Sequence, residues 1–278
     1  MKLCFADLHV HTALSPCADD EMTPPRIVER ALAEGLAMIA VCDHNTTGNA
    51  AAVQAAAKRA TVAAAVRTAA ESADAPAADA PTAAAGTPAG DGLAVIAGME
   101  VTSAEECHVV ALFPDAAAAA AAGAEVTGLL PAAGEGYAEF FGEQHLLAAD
   151  GTRRGAEPAA LATATPLDVG AVVALVHRHG GLAVAAHVDR RSFGVVGQLG
   201  VFPAEAGFDA VEVSRHVTAD SPKLAEYAAF GLPLLRSSDS HTLDTLGSAR
   251  TALRVAAPTF AELALALRGA DGRSVTVA

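Results

Sequence analysis

The sequence predicts an α/β barrel with a lobe inserted into it, and three observations carry that expectation. Seven short apolar runs recur along the chain, most of them continuous rather than alternating, which suits parallel strands covered on both faces. Helical segments lie between many of these runs. His, Asp and Glu residues collect at the ends of the runs, on the rim where α/β barrels keep their active sites.

Residues 3–8 form the first strand. Thr23-Pro24-Pro25 opens a helix, with Thr as N-cap, Pro in the first turn and Gly35 just past the end. Residues 37–42 are the second strand, and a helix runs from about Gly48 to Glu71. Residues 93–98, 108–113, 182–186, 209–213 and 232–236 supply the remaining five strands. Only residues 101–107 separate Glu100 from His108, too few for a parallel crossover. The third and fourth strands should therefore be antiparallel, with His108 starting at the rim where Glu100 ends. Residues 72–92 are Ala, Pro, Gly and Asp with little to bury, and read as a flexible linker. Residues 114–165 read as the inserted lobe, with a hairpin turn at Ala149-Asp150-Gly151-Thr152. The whole chain, 1–278, is read as one domain.

Composition narrows the function. Alanine fills 71 of 278 positions, so the 52% hydrophobic fraction overstates the core-forming content. The length still suffices for one substantial core. A net charge of −14 argues against long nucleic acid as the main partner. Nine Phe, two Tyr and no Trp leave few stacking platforms for single strands. No run of 18 apolar residues suggests a membrane span. The first residues lack a signal-peptide pattern, and Cys4, Cys17, Cys42 and Cys107 read as reduced thiols, so a cytoplasmic location is expected. Cys4 and Cys42 sit in apolar runs and read as small buried packing residues.

The chemistry lies at the strand ends. His9 and His11, two apart in extended chain, share a face. His44 follows the second strand, Glu100 ends the third, His108 starts the fourth and His187 follows the fifth. Asp239-Ser240-His241 follows the seventh. A lone His-x-His is a weak signal, but six imidazoles and two carboxylates on one rim are hard to keep as structure alone. They suit Zn, Mn or Fe, and eight ligands exceed what one ion needs, so two or three divalent ions are expected, with Glu100 placed to bridge two. His177 and His179 face different ways on a helix and read as surface residues. His145, in the lobe, reads as a non-ligand, and His216, after the sixth strand, as a substrate contact.

Asp7-Leu8-His9-Val10-His11-Thr12, Asp43-His44-Asn45, Gly98-Met99-Glu100, His108, His187 and Ser238-Asp239-Ser240-His241 resemble, in order and spacing, the polymerase and histidinol phosphatase (PHP) domain family. The likeness runs from residue 3 to about 241. It implies a distorted (β/α)7 TIM-like barrel that hydrolyses phosphoesters with up to three metals. It places His9, His11, Glu100 and Asp239 on one metal, Glu100, His108 and His187 on a second, and His44 and His241 on a third. Where many relatives carry a His six residues after the second His of the opening motif, this chain has Cys17. A thiolate can ligate Zn or Fe, and Asp19 or Asp20 are the alternatives.

Two ions about 3.5–4 Å apart would activate a hydroxide for in-line attack on phosphorus. Arg190 and Arg215 are candidates to neutralise charge on the phosphate. Asp7 and Asp43 are expected to orient ligand imidazoles. No general acid is identifiable. The expected substrate is a small phosphomonoester; the alternatives are a nuclease or phosphodiesterase acting on short oligonucleotides or nucleotides, and a non-catalytic metal-binding regulator. Hydrolysis of C–N bonds, as in amidohydrolases, is disfavoured, because Lys2, Lys58 and Lys223 all lie away from the rim.

Overall fold

The computed structural model describes residues 1–74 and 92–278, so the linker expected at 72–92 lies almost wholly outside the described residues. β1 (Lys2–Val10), β2 (Met38–Val41) and β3 (Ala94–Thr102) run parallel, joined by α1 (Pro24–Ala33) and α2 (Ala50–Asp74). β4 (His108–Phe113) turns back antiparallel to β3, with Thr102 opposite His108. Next come α3 (Ala116–Thr127), α4 (Tyr137–Phe141) and the hairpin of β5 (His145–Leu147) and β6 (Arg153–Ala156). The parallel rhythm returns with α5 (Val169–Arg178), β7 (Leu182–Ala185), α6 (Val195–Leu199), β8 (Ala210–Val213), α7 (Leu224–Ala228) and β9 (Leu234–Arg236). β10 (Thr251–Val255), α8 (Phe260–Leu267) and β11 (Ser274–Val277) follow.

Among the described residues nine strands form one sheet, in the order β11-β10-β1-β2-β3-β4-β7-β8-β9. The seven apolar runs of the sequence are β1–β4 and β7–β9. The sheet nearly closes on itself. Beyond β9, Ser240 bridges Val10 of β1 in parallel, joining the two ends at the carboxyl rim. Towards the other end the β10–β11 pair fills the gap. β10 lies antiparallel to β1 along Lys2–Ala6, while the Arg236 guanidinium of β9 donates to the carbonyl of Ala278 at 2.5 Å. The result is a distorted TIM-like α/β barrel.

Alternation along the strands divides the core. Ile39, Val41, Met99, Val101, Val109 and Ala111 face outward and pack with Ile27 and Val28 of α1 and Val172 and Val176 of α5. Leu8, Met38, Ala40, Val110, Leu112, Val184, Leu235 and Leu253 pack with one another, capped by Leu263 and Leu267 of α8. On this inner face Ile96 is followed two and four residues on by Gly98 and Glu100, and Ala210 by Glu212. Both carboxylates therefore point into the barrel at its rim end.

One sequence expectation changes, and two segments add to the reading. Thr23 holds the N-cap position, but its side chain makes no capping bond; the fixed φ of Pro24 starts the helix instead. α3 buries Ala119, Ala122 and Val126 in the barrel's outer core, so this first helix of the 114–165 segment packs on the barrel. β10, α8 and β11 lie beyond the last motif that sequence reasoning used, and β11 alternates exposed and half-buried residues like an edge strand.

Candidate metal centre

The six rim imidazoles and two carboxylates meet in one cluster. Glu100 is its hub, 1% exposed. Its Oε1 lies 2.8 Å from His108 Nδ1, 3.0 Å from His187 Nε2 and 3.3 Å from His9 Nε2. Its Oε2 lies 3.0 Å from His44 Nδ1 and 3.5 Å from His11 Nε2. Asp239 Oδ1 stands 3.1 Å from His11 Nε2 and 3.5 Å from His9 Nε2. The donor atoms of His9, His11, Glu100 and Asp239 all lie within 4.8 Å of one another, as do those of His44, Glu100 and His108 and those of His11, His44 and His241.

These contacts satisfy the cluster only in part. His187 Nε2 hydrogen-bonds Glu100, but Asp239 Oδ1, buried among the imidazoles, lacks a well-formed hydrogen bond, a state that costs free energy unless something else fills it. His9 Nε2 and His11 Nε2 stand 3.2 Å apart. Two nitrogens held about 2.1 Å from one tetrahedral cation are separated by about 3.4 Å. The donor set and its spacing thus fit divalent ions. His187, Asp239 and nearby Asn45 and Phe193 hold positive φ values of 29°, 50°, 53° and 64°. Strained backbone of this kind persists only where its surroundings impose it.

The electrostatics follow from burial and crowding. Burial would raise the Glu100 carboxyl, but the His108 and His9 charges and the hydrogen bonds of His108 and His187 hold it well below the carboxylate range. Burial would likewise raise Asp239, and His9 and His11 pull it down. Burial together with the neighbouring His241 and His44 pushes His11 well below the usual imidazole range. Burial opposes charge on His44, yet Cys17 and Glu100 raise it to about 10. Cys17 is exposed, its Sγ 3.3 Å from His44 Nε2. Partial burial would raise its thiol, but hydrogen bonds from His241 and His44 lower it to about 6.

The supporting residues differ from expectation. Asp7 touches no imidazole: it accepts the Ser238 and Gly247 N–H groups at 3.0 and 2.9 Å and the Ser238 hydroxyl at 2.6 Å, clamping the Asp239 loop. Asp43 reaches His11 only through Ser15. The Ser15 hydroxyl donates to Asp43 at 2.8 Å and meets His11 Nδ1 at 2.8 Å. The carboxylate that orients an imidazole directly is Glu212, absent from the sequence reading. It lies 3.0 Å from His9 Nδ1 and accepts the His187 N–H at 3.2 Å, 1% exposed. A lone charge inside the apolar run Ala210–Val213 was the available signal.

Arg190 pairs with Asp239 Oδ2 at 2.7 Å. Arg215 donates to the Ser238 carbonyl at 2.8 Å, so its guanidinium serves the same loop. His216 is exposed beyond β8, and Asp19 and Asp20 are exposed as well. His177 and His179 pair with Asp209 and Glu125 away from the cluster, and His145 lies 3.3 Å from Asp20.

A TIM-like barrel with imidazoles and carboxylates gathered on one rim is the architecture of a metal-dependent hydrolase. The chain belongs to the PHP domain family, which matches residues 7–183; a family described as PHP-associated matches residues 224–271. Among solved structures it is similar to the lesion-specific endonuclease PfuEndoQ from Pyrococcus furiosus, with a TM-score of 0.65 at 18% identity over 99% of this chain and 58% of that one. A complex of Endonuclease Q with a 27-mer duplex carrying an abasic lesion gives 0.63 at 16% identity, over 98% of this chain and 58% of that one. An amidohydrolase from Chromobacterium violaceum, with bound sulfate and no metal, gives 0.54 at 20% identity, over 87% and 89%. These identities show a shared fold, and the chain spans little more than half the length of the endonuclease. No curated protein matches the chain.

Proposed function

We propose that this metal-dependent hydrolase cleaves the phosphoester of a small molecule, most simply a monoester. The observation that carries the reading is Glu100, with three imidazoles on one carboxylate oxygen and two on the other. That arrangement suits a carboxylate shared between two ions. In the proposal His9, His11, Glu100 and Asp239 hold one ion, Glu100, His108 and His187 a second, and His44, His241 and Cys17 a third. Zn, Mn and Fe suit the imidazole and carboxylate ligands, and the Cys17 thiolate favours Zn or Fe. Bound there, such ions supply Lewis-acid polarisation of the phosphoryl oxygens and activation of water.

The chain's own side chains do the positioning. Glu212 holds the His9 ring with Nε2 turned into the cluster, and Ser15 does the same for His11. Arg190, 32% exposed, anchors Asp239 and presents a cation to a phosphate at the mouth. Arg215 contributes through the Ser238–Asp239 backbone, leaving Arg190 as the stronger phosphate contact.

A second reading, phosphodiester cleavage of short oligonucleotides or nucleotides, takes its support from the fold likeness to an endonuclease over 99% of the chain. The test is a panel of monoesters and dinucleotides, with metal analysis of the same sample. Phosphate release from monoesters, abolished by His9→Ala and by Asp239→Ala, is expected. Turnover of dinucleotides alone would replace the first reading with the second, and full metal occupancy with no ester cleaved would sink both.

A further inference from the structure

The aromatic residues of α4 belong to neither core. The chain has nine Phe and two Tyr, and Tyr137, Phe140 and Phe141 fall within this one five-residue helix. Their rings form a continuous set, with centroids 4.8 Å apart for Tyr137 and Phe141 and 5.6 Å apart for Phe140 and Phe141. Yet Phe140 is 87% exposed and Phe141 48%.

Contacts at both ends fix this set beside the metal centre. The Tyr137 hydroxyl accepts the Ala162 N–H at 2.7 Å. Ala162 lies between Leu161 and Thr163, whose carbonyls accept from the Asn45 side chain at 2.9 and 3.0 Å. Asn45 follows His44 directly. At the other end of α4, Gly142 packs so closely on Pro16 that a Cβ would stand 1.9 Å from its carbonyl oxygen; the φ of +102° is equally glycine's. Pro16 precedes Cys17. The helix is thus tied to the Cys17 loop directly at one end and, through residues 161–163, to the residue after His44 at the other, which holds the rings in the neighbourhood of the metal centre.

The geometry points to a stacking subsite: Tyr137, Phe140 and Phe141 receive a planar nucleobase carried by the phosphoester, while its phosphate sits at the metal centre. This rests on the phosphoester reading above and narrows its substrate to nucleotides or nucleotide ends. Exposed rings stack on any base, because every base offers a π face. Other occupants suit the surface less well. Two Phe rings supply about 300–500 Å², short of the roughly 800 Å² per partner of a stable protein interface. A net charge of −14 opposes an anionic lipid surface.

The test compares adenosine 5′-monophosphate with ribose 5-phosphate on Mn²⁺-loaded protein, wild type and Phe140→Ala/Phe141→Ala. KM is read where turnover occurs, and Kd by calorimetry where it does not. The wild type should favour the nucleotide by roughly tenfold or more, and the ratio should fall toward one in the double variant. Phe140→Leu, which keeps apolar bulk but loses the ring, should lower it as well. A wild-type ratio near one, or a ratio unchanged in the double variant, overturns the subsite; turnover of ribose 5-phosphate in that case leaves the phosphoesterase reading standing. Preferential nucleotide binding, lost in the variant but without any turnover, supports the subsite and sinks hydrolysis. Loss of self-association or of vesicle binding with the ratio unchanged also overturns it.

Discussion

Glu212 acts on a ring nitrogen that faces away from the cluster. A carboxylate can only accept, so Glu212 fixes an N–H on His9 Nδ1 and leaves Nε2, which faces Glu100 and Asp239, as the atom that would ligate a metal. Replacing it by Gln keeps the shape but weakens that preference. Glu212→Gln is expected to lower metal affinity about 10- to 100-fold, measured by chelator competition, with the fold intact by circular dichroism. Unchanged affinity would reduce Glu212 to a buried hydrogen-bond acceptor. Cys17 offers a second measurement. Its thiol is exposed and lowered to about 6, whereas burial pushes the Cys42 thiol far up and that of Cys107 to about 11. The thiolate is the reactive form, so alkylation of metal-free protein should rise with pH through about 6 and level off above it. Iodoacetamide at pH 7 should then label Cys17 first, and Zn²⁺ should protect it if the thiolate is a ligand. The eight rim residues were legible because chemistry at strand ends repeats along the sequence. Glu212 was not, because one charge in a short apolar run has no second copy to compare with. The service of Asp7 to a loop rather than a ring was hidden too, since its partners at Ser238 and Gly247 are distant in sequence.

Among the elements, β4 was readable for a mechanical reason: residues 101–107 are too short to cross a sheet, so β4 had to run antiparallel. β10, β11 and α8 offered no such constraint. Their role appears only in three dimensions, where α8 caps the inner core. Leu263 is fully buried there. Leu263→Ala should therefore cost about 2–5 kcal/mol, read as a lowered Tm and denaturation midpoint. A loss below 1 kcal/mol would mean that α8 only rests against the barrel. The route after α3 was the least legible stretch. Its hairpin turn has a local signature, but its docking depends on distant groups, such as Asn49, which bonds both His145 and Leu147.

At the scale of the molecule, a net charge of −14 looks unsuited to an anionic substrate. Divalent ions at the cluster would reverse the sign locally, so the surface can repel polyanions while the mouth attracts a phosphate. The closure of the barrel has a consequence for the birth of the protein. The Val10–Ser240 bridge joins the same two ends of the chain as the Asp7–Ser238 clamp, whose partners are 231 residues apart. At about 5–20 residues per second of synthesis, His9 and His11 wait roughly ten seconds to a minute before Asp239 and His241 exist. During that interval two imidazoles lie beside an unpaired sheet edge, half of the ligand set proposed for the first ion. Stable metal loading is therefore expected only once the last strand finds the first.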